Sequence, residues 1–431
     1  MTDRRGITDV LRVALVALVA ALVCAPAASA APAAYEAHEV IVKYADRAPS
    51  AQRSLAARTA GVLQTLTSVT GIGSQLVRVA GDPMAVAARL RRSSAVAYAE
   101  PNYIYRATAI PNDPLFGDQY GLNNTGQAAG APDADIDAPE GWDAGGLGSF
   151  PAAGGVTIGT IDTGIAAGHE DLVGKVASCA GVRSFGLDLL GIPLLDDPTI
   201  VPDRCADDNG HGTHVAGIAA ARANNGHGIA GVAFNSRLAI CKALNGSGAG
   251  SLVAIANCIV YLRGQGAKII SMSFGGLGSE TLAAAVAAAS ANGVLIVAAA
   301  GNDGSAALTY PAAYPQVVSV AAVDRHDERA PFSTANADVE IAAPGVDVLS
   351  TWNDGGYRTE SGTSMATPFV AGEAALIQAS AKSPISPAGV ETRIRCSARP
   401  IPEDPGHLTL GAGHANIGAS IGQAAGQTCP L

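Results

Sequence analysis

Residues 268–302 read KIISMSFGGLGSETLAAAVAAASANGVLIVAAAGN, and this stretch decides the fold. Lys268 to Ser273 is a short apolar, strand-forming run. Thr281 to Ala291 is alanine-rich with helical composition, and Val294 to Ala300 is a second apolar strand. A strand, a helix and a strand in succession predict a crossover that lays the two strands parallel, with the helix covering one face.

The same alternation continues on both sides. Val156 to Ile161, Leu238 to Ala243 and Val317 to Val323 read as strands, while Val215 to Arg222 and Ser251 to Gln265 read as helices. The fold class expected from residue 111 onward is therefore α/β, a mainly parallel sheet flanked by helices on both faces. In such sheets ligands bind beyond the carboxyl ends of the strands, so chemistry is sought there. Upstream, 38–44 and 95–105 read as strands and 83–92 as a helix, a small α+β unit. A connector at 107–114 with Pro111 and Pro114 suits cleavage.

Charge divides the chain in a similar way. Residues 31–110 carry nine basic and five acidic side chains, whereas the remainder to 431 carries a net −15, within a total of −10. An acidic body argues against nucleic acid as a partner. With 48% hydrophobic and 15% charged residues, disorder is excluded as the default state. At the N-terminus Arg4, Arg5 and Arg12 precede an apolar run from Val13 to Val23 and the small residues Ala28-Ser29-Ala30. This is the layout of a secretory signal, expected over 1–30, and the run is about half of what a membrane span needs. Removing it leaves six cysteines, an even number suited to disulfides in an exported chain. Proximity favours Cys179–Cys205, Cys241–Cys258 and Cys396–Cys429, among 15 possible connectivities.

Three strand ends carry polar residues. Asp162 opens Asp-Thr-Gly, Ser273-Phe274-Gly275-Gly276 follows one strand, and Gly301-Asn302 follows another. Two further segments are Asn209-Gly210-His211-Gly212-Thr213-His214 and Ser361-Gly362-Thr363-Ser364-Met365-Ala366. A serine hydroxyl is a weak nucleophile that needs a base, and the base needs an orienting group. Ser364, His211 and Asp162 supply those three types. The oxygen charged during attack on a carbonyl needs fixed donors, which the Ser364 N–H at a helix start and the Asn302 side chain supply.

In order and spacing these segments resemble the subtilisin-type (subtilase) serine peptidases, whose triad runs Asp, His, Ser along the chain. The resemblance spans about 111–425, and 36–106 resembles the family's inhibitory propeptide. It implies a secreted serine endopeptidase, made as a zymogen, with 1–30 as signal, 31–110 as propeptide and 111–431 as catalytic domain. Catalysis would fall to Asp162, His211 and Ser364, with Asn302 and Ser364 forming the oxyanion hole and His214 structural. Ser273, Phe274 and Gly275 would wall the substrate cleft, with Gly248 on the opposite edge, Thr309 at the pocket base and Asp303 on its rim, favouring basic side chains. A structural Ca²⁺ is implied at Asp171, Asn225 and Asp113, completed by carbonyls of Ala223, His227 and Ile229. The partners expected are polypeptide substrates and the chain's own propeptide, for a monomer without a membrane span. Two rivals stay open: a narrowly specific processing protease, and an inactive binding protein on the same fold.

Overall fold

The structure is a computed structural model that describes residues 35–103, 110–147, 154–184, 197–401 and 410–422. The expected signal segment, Tyr105 and Cys429 lie outside the described residues. The chain divides into two units, Met1–Ala107 and Thr108–Leu431.

The first unit has four strands and two helices: β1 (Tyr35–Tyr44), α1 (Ser50–Ala60), β2 (Val62–Val69), β3 (Ser74–Val79), α2 (Pro83–Arg91) and β4 (Val96–Tyr103). The sheet order is β2-β3-β1-β4, antiparallel throughout. Val40, Val42, Val77, Val79, Val86 and Leu90 form its core. Asp82 caps α2 by accepting from the Ala85 N–H at 2.9 Å, and Pro83 takes the first helical position. The sequence reading placed β1, α2 and β4 but missed α1, β2 and β3. β2 is exposed at nearly every position, so it lacks the alternation that betrays a half-buried strand.

In the second unit α3 (Ala138–Ala144) precedes β5 (Thr157–Asp162), β6 (Val176–Ser184), β7 (Asp197–Pro202), α4 (His211–Ala220), β8 (Arg237–Lys242) and α5 (Leu252–Gly264). Then come β9 (Ile269–Met272), α6 (Glu280–Ala291), β10 (Leu295–Ala299), β11 (Val317–Val323) and β12 (Ile341–Pro344). A hairpin, β13 (Val348–Thr351) and β14 (Tyr357–Glu360), leads into α7 (Thr363–Ser380), followed by α8 (Pro387–Ser397) and α9 (Ile417–Gly422).

Eight strands pair in the order β12-β11-β10-β9-β5-β8-β6-β7. Every pairing is parallel except β6 with β7. The prolines of β7 fit an edge strand, and they hid it from the sequence reading. Side chains alternate between faces: Leu238 and Ile240 join the core under α4 and α7, while Ala239 and Cys241 join the core under α5 and α6. Both faces are thus covered, which is why the strands read as continuous apolar runs. Disulfides join Cys179 to Cys205 and Cys241 to Cys258, the latter tying α5 to β8. Cys396 is disulfide-bonded too. Strand order reverses beside β5, and there the carboxyl ends of β5, β8, β9 and β10 deliver Asp162, Lys242, Ser273 and Asn302 to one edge.

Candidate active site

Asp162 ends β5 and is completely buried. Its Oδ1 accepts from the Thr163 N–H at 2.7 Å and from His211 Nδ1 at 2.8 Å. His211 is the first residue of α4, and its side chain keeps 29% exposure. The two segments meet backbone to backbone: a Cβ on Gly212 would lie 2.3 Å from the Gly164 carbonyl oxygen, so only glycine fits. Burial works against a proton on His211. The charge and hydrogen bond of Asp162, aided by the charges of Asp207 and Glu360, outweigh it and lift the ring above its ordinary range.

His214 lies one turn further and does not join His211 as a metal pair. Its Nε2 meets the Arg358 carbonyl at 3.0 Å and its ring packs edge-on to Trp352. Burial pushes it down to about 4, so it stays neutral at neutral pH.

Ser364 stands in the first turn of α7, which packs against α4. Its hydroxyl donates to the Ser273 carbonyl at 2.9 Å, and the Ser273 hydroxyl donates back to the Ser364 carbonyl at 2.8 Å. The Ser364 side chain is thus docked on the segment that follows β9. The Ser364 N–H belongs to the first turn, where backbone donors lack partners inside the helix. Asn302 directs its oxygen away: Oδ1 accepts from the Thr363 N–H at 2.8 Å and the Thr363 hydroxyl at 3.0 Å. Its Nδ2 is left to face the same space as the Ser364 N–H. A Cβ built on Gly362 would lie 3.4 Å from Asn302 Nδ2 and 3.6 Å from Ser364 N, so the two nitrogens flank one point.

The wall segment follows β9. Gly276 and Tyr310 exchange backbone hydrogen bonds of 2.8 and 3.1 Å, bringing Thr309 against Gly275. A Cβ on Gly275 would lie 2.1 Å from the Thr309 methyl carbon. Gly248 lies in an exposed turn closed by the Gly248 N–H on the Asn245 carbonyl at 2.9 Å. Asp303 is exposed, and its Oδ1 accepts from the Thr334 hydroxyl at 2.7 Å and the Ser305 N–H at 3.0 Å. Those bonds, the Thr334 one foremost, hold its carboxyl below the usual range and tie it both to its own turn at Ser305 and to the segment bearing Thr334.

The expected metal residues do come together. Asp113 accepts from the Asn224 and Asn225 N–H groups at 2.6 and 3.1 Å. Asp171 accepts from Asn225 Nδ2 at 2.8 Å, the Ile229 N–H at 2.9 Å and the Tyr357 hydroxyl at 2.8 Å. Both carboxylates are buried, Asp171 wholly. Burial pushes Asp113 up, and the Asp171 charge adds to that against the two N–H bonds. Neither has an arginine or lysine partner among the described residues. The two carboxylates fit a hard divalent cation, whereas Asn225 turns its Nδ2 to Asp171 and its Oδ1 accepts from the His227 N–H at 2.8 Å, so that amide would have to turn to offer its oxygen. No cluster of three or more His, Cys, Asp or Glu that could hold a metal forms among the described residues, here included. Tyr357, whose hydroxyl also reaches Glu170 at 2.8 Å, was missed by sequence reasoning.

Asp207 was missed as well. It accepts five hydrogen bonds, from the Thr163 and Thr213 hydroxyls and from the N–H groups of Asn209, Gly210 and Thr213. The cap position itself is Gly210, and the signal that could have found Asp207 is an acidic residue just ahead of a helix start, where negative charge is favoured.

Comparison with known proteins agrees with this geometry. The family pattern described as Peptidase_S8, Subtilase family, matches residues 153–414, and the Fervidolysin N-terminal prodomain pattern matches 23–102. The chain is 38% identical to the thermophilic serine proteinase of Bacillus sp. (strain AK1), over 80% of this chain and 79% of that protein. It is 41% identical to thermitase of Thermoactinomyces vulgaris, over 63% of this chain and 87% of that one. Among solved structures, a protease from Pseudoalteromonas arctica PAMC 21717 superposes with a TM-score of 0.61 at 31% identity, covering 72% of this chain and 98% of that one. No helix among the described residues is long and apolar enough to cross a membrane.

Proposed function

The chain belongs to the subtilase family and is a subtilisin-type serine peptidase, and from that premise we propose that it is a secreted endopeptidase, made as a zymogen, whose triad is Asp162, His211 and Ser364. The observation that carries this reading is the 2.8 Å bond from His211 Nδ1 to a fully buried Asp162, on the helix that packs against the one opened by Ser364. Ser364 Oγ, released from the Ser273 carbonyl, attacks the peptide carbonyl carbon while His211 Nε2 takes its proton. Asp162 holds the ring in the tautomer with hydrogen on Nδ1 and stabilises the charged ring that results. His211 then passes the proton to the leaving amine nitrogen as the C–N bond breaks, leaving an acyl ester on Ser364. Water, deprotonated by the same ring, attacks that ester and frees the acid. Catalytic hydrogen bonds that are loose in a free enzyme tighten with substrate, which fits the resting position of the Ser364 hydroxyl. The test is labelling by an organophosphate or sulfonyl fluoride. Wild type should label at Ser364, and undiminished labelling of Ser364→Ala would refute the assignment.

Asn302 Nδ2 and the Ser364 N–H serve as the oxyanion donors. Asn302→Ala should cut kcat by about 10²–10³, some 3–4 kcal/mol of transition-state stabilisation, with KM little changed. That magnitude comes from the same class of enzyme. A fall in affinity with kcat intact would assign Asn302 to ground-state binding instead.

Residues 31–110 act as propeptide and inhibitor, a reading supported by the prodomain match, and 1–30 direct export. Ser273 to Gly275, Gly248 and Thr309 form the cleft, with Asp303 at its rim. Extended polypeptide is the substrate. Ca²⁺, held by Asp113, Asp171 and Asn225, would supply the charge that two buried carboxylates lack and so lock the loop. Chelation should then lower Tm by about 5–10 °C, restored by calcium and not by magnesium, for a site filled to about a hundred times its Kd. Asp171→Asn should remove the response; an equal response in that variant would place the ion elsewhere.

A further inference from the structure

The base and its orienting carboxylate lie on different elements, β5 and α4, and their geometry depends on whatever fixes one to the other. That link is a second carboxylate. Asp207 Oδ1 accepts from the Thr163 hydroxyl at 2.8 Å, beside Asp162, and from the N–H groups of Asn209 and Gly210 at 3.0 and 2.9 Å, beside His211. Its Oδ2 accepts from the Thr213 N–H at 2.9 Å and hydroxyl at 2.6 Å, inside the first turn of α4. The two threonines close the frame from both sides. The Thr163 hydroxyl oxygen accepts from the Gly212 N–H at 2.8 Å, and the Thr213 hydroxyl oxygen accepts from the Ala166 N–H at 3.0 Å.

We propose that Asp207 is a positioning residue for the catalytic base, fixing the segment that bears His211 against the one that bears Asp162. This rests on the reading of His211 as base. The frame takes five donors onto one carboxylate at a helix N-terminus, where both the donors and the dipole favour negative charge. A mere helix cap would need only the Gly210 and Thr213 bonds. The Thr163 bond reaches across to the other catalytic segment, and that is what a positioning role requires. The charge acts in company. His211 faces Asp162 from β5 and Glu360 from β14, with His214 one turn along its own helix. Lys242 pairs beside Asp162 at the end of β8, and Arg358 of β14 accepts at its carbonyl from His214.

The test is the pH profile of kcat/KM in the mature enzyme. Asp207→Asn should move the acid limb to lower pH by roughly half a unit, because a negative charge facing the ring is gone. It should also lower kcat roughly tenfold or more with KM unchanged, since Asp207 touches no substrate. Thr163→Val breaks the bridge but keeps the charge, so kcat should fall while the acid limb stays in place. An Asp207→Asn enzyme that melts earlier yet keeps both its kcat and its acid limb would overturn the proposal and leave Asp207 a structural cap. Should Asp207→Asn fail to fold, an unchanged kcat in Thr163→Val overturns it equally. Ser364→Ala is run alongside; if it stays active, the triad reading itself has failed.

Discussion

Ser364→Ala should hydrolyse peptides about 10⁴–10⁶-fold more slowly than wild type, a loss of about 5–8 kcal/mol, with KM close to unchanged. The scale was set on subtilisin, a member of this family, so it is carried over rather than deduced. The reason for so large a loss lies in the site. On the proposed mechanism the Ser364 hydroxyl forms the acyl ester, and without it His211 has no proton to take. What survives is the work of Asn302 Nδ2 and the position-364 N–H, which alanine keeps, and these still stabilise a carbonyl attacked by water. Because Ser364 occupies the first turn of α7 and its side chain bonds only the Ser273 carbonyl, alanine should leave the fold intact. The same variant should keep residues 31–110 attached when wild type is found shortened, since the zymogen is read as cutting itself. A Ser364→Ala protein that processes and hydrolyses normally would refute the assignment.

What the sequence made legible was local. Asp162, His211 and Ser364 stand in short motifs whose residue types already imply nucleophile, base and orienter. The βαβ unit at 268–302 placed Ser273 and Asn302 at strand ends before any coordinates. The contributions that escaped are made across long separations or by side chains without a motif. Tyr357 reaches Asp171 across 186 positions, and no periodicity links them. Asp207 carried a local signal, but Asp-Asp-Asn-Gly reads equally well as a turn. Its bond to Thr163 depends on β5 and α4 being brought together. Asp303, which the sequence reading put on the pocket rim, has its Oδ1 held by Ser305 in its own turn and by Thr334, 31 positions on, since a rim position in sequence says nothing about which donors lie nearby.

Glu373 is the sharpest departure from pattern, and it predicts the second large effect. It lies in the buried half of α7, between Gly372 and Ala374, with no exposed surface and, among the described residues, no hydrogen bond of ordinary geometry to either carboxyl oxygen. Burial pushes its acid up from 4.5 to about 8, with Ser420 of α9 the one polar neighbour pulling it back. No charged group among the described residues contributes. Since the native acid is raised above the unfolded one, its contribution to stability is complete below pH 4.5. Between pH 4.5 and 8 the unfolded chain ionises and the native protein does not, so stability falls as pH rises, and above 8 the loss is complete. A separation of roughly 3.5 pH units corresponds to at most about 5 kcal/mol. Glu373→Gln keeps the shape and removes the titration, so it should be flat across this window and more stable than wild type at pH 8. In a domain of this size that difference is worth at most about 7 °C in Tm. Melting of sulfonyl fluoride-inactivated wild type and variant from pH 4 to 9 reads the two slopes without self-digestion. Parallel slopes would mean that Glu373 is already ionised in the folded enzyme, held by a partner such as bound water. A wild-type curve that drops away from the variant only above pH 4.5 would show a neutral acid kept behind the nucleophile helix, which ties the alkaline stability of the enzyme to one side chain.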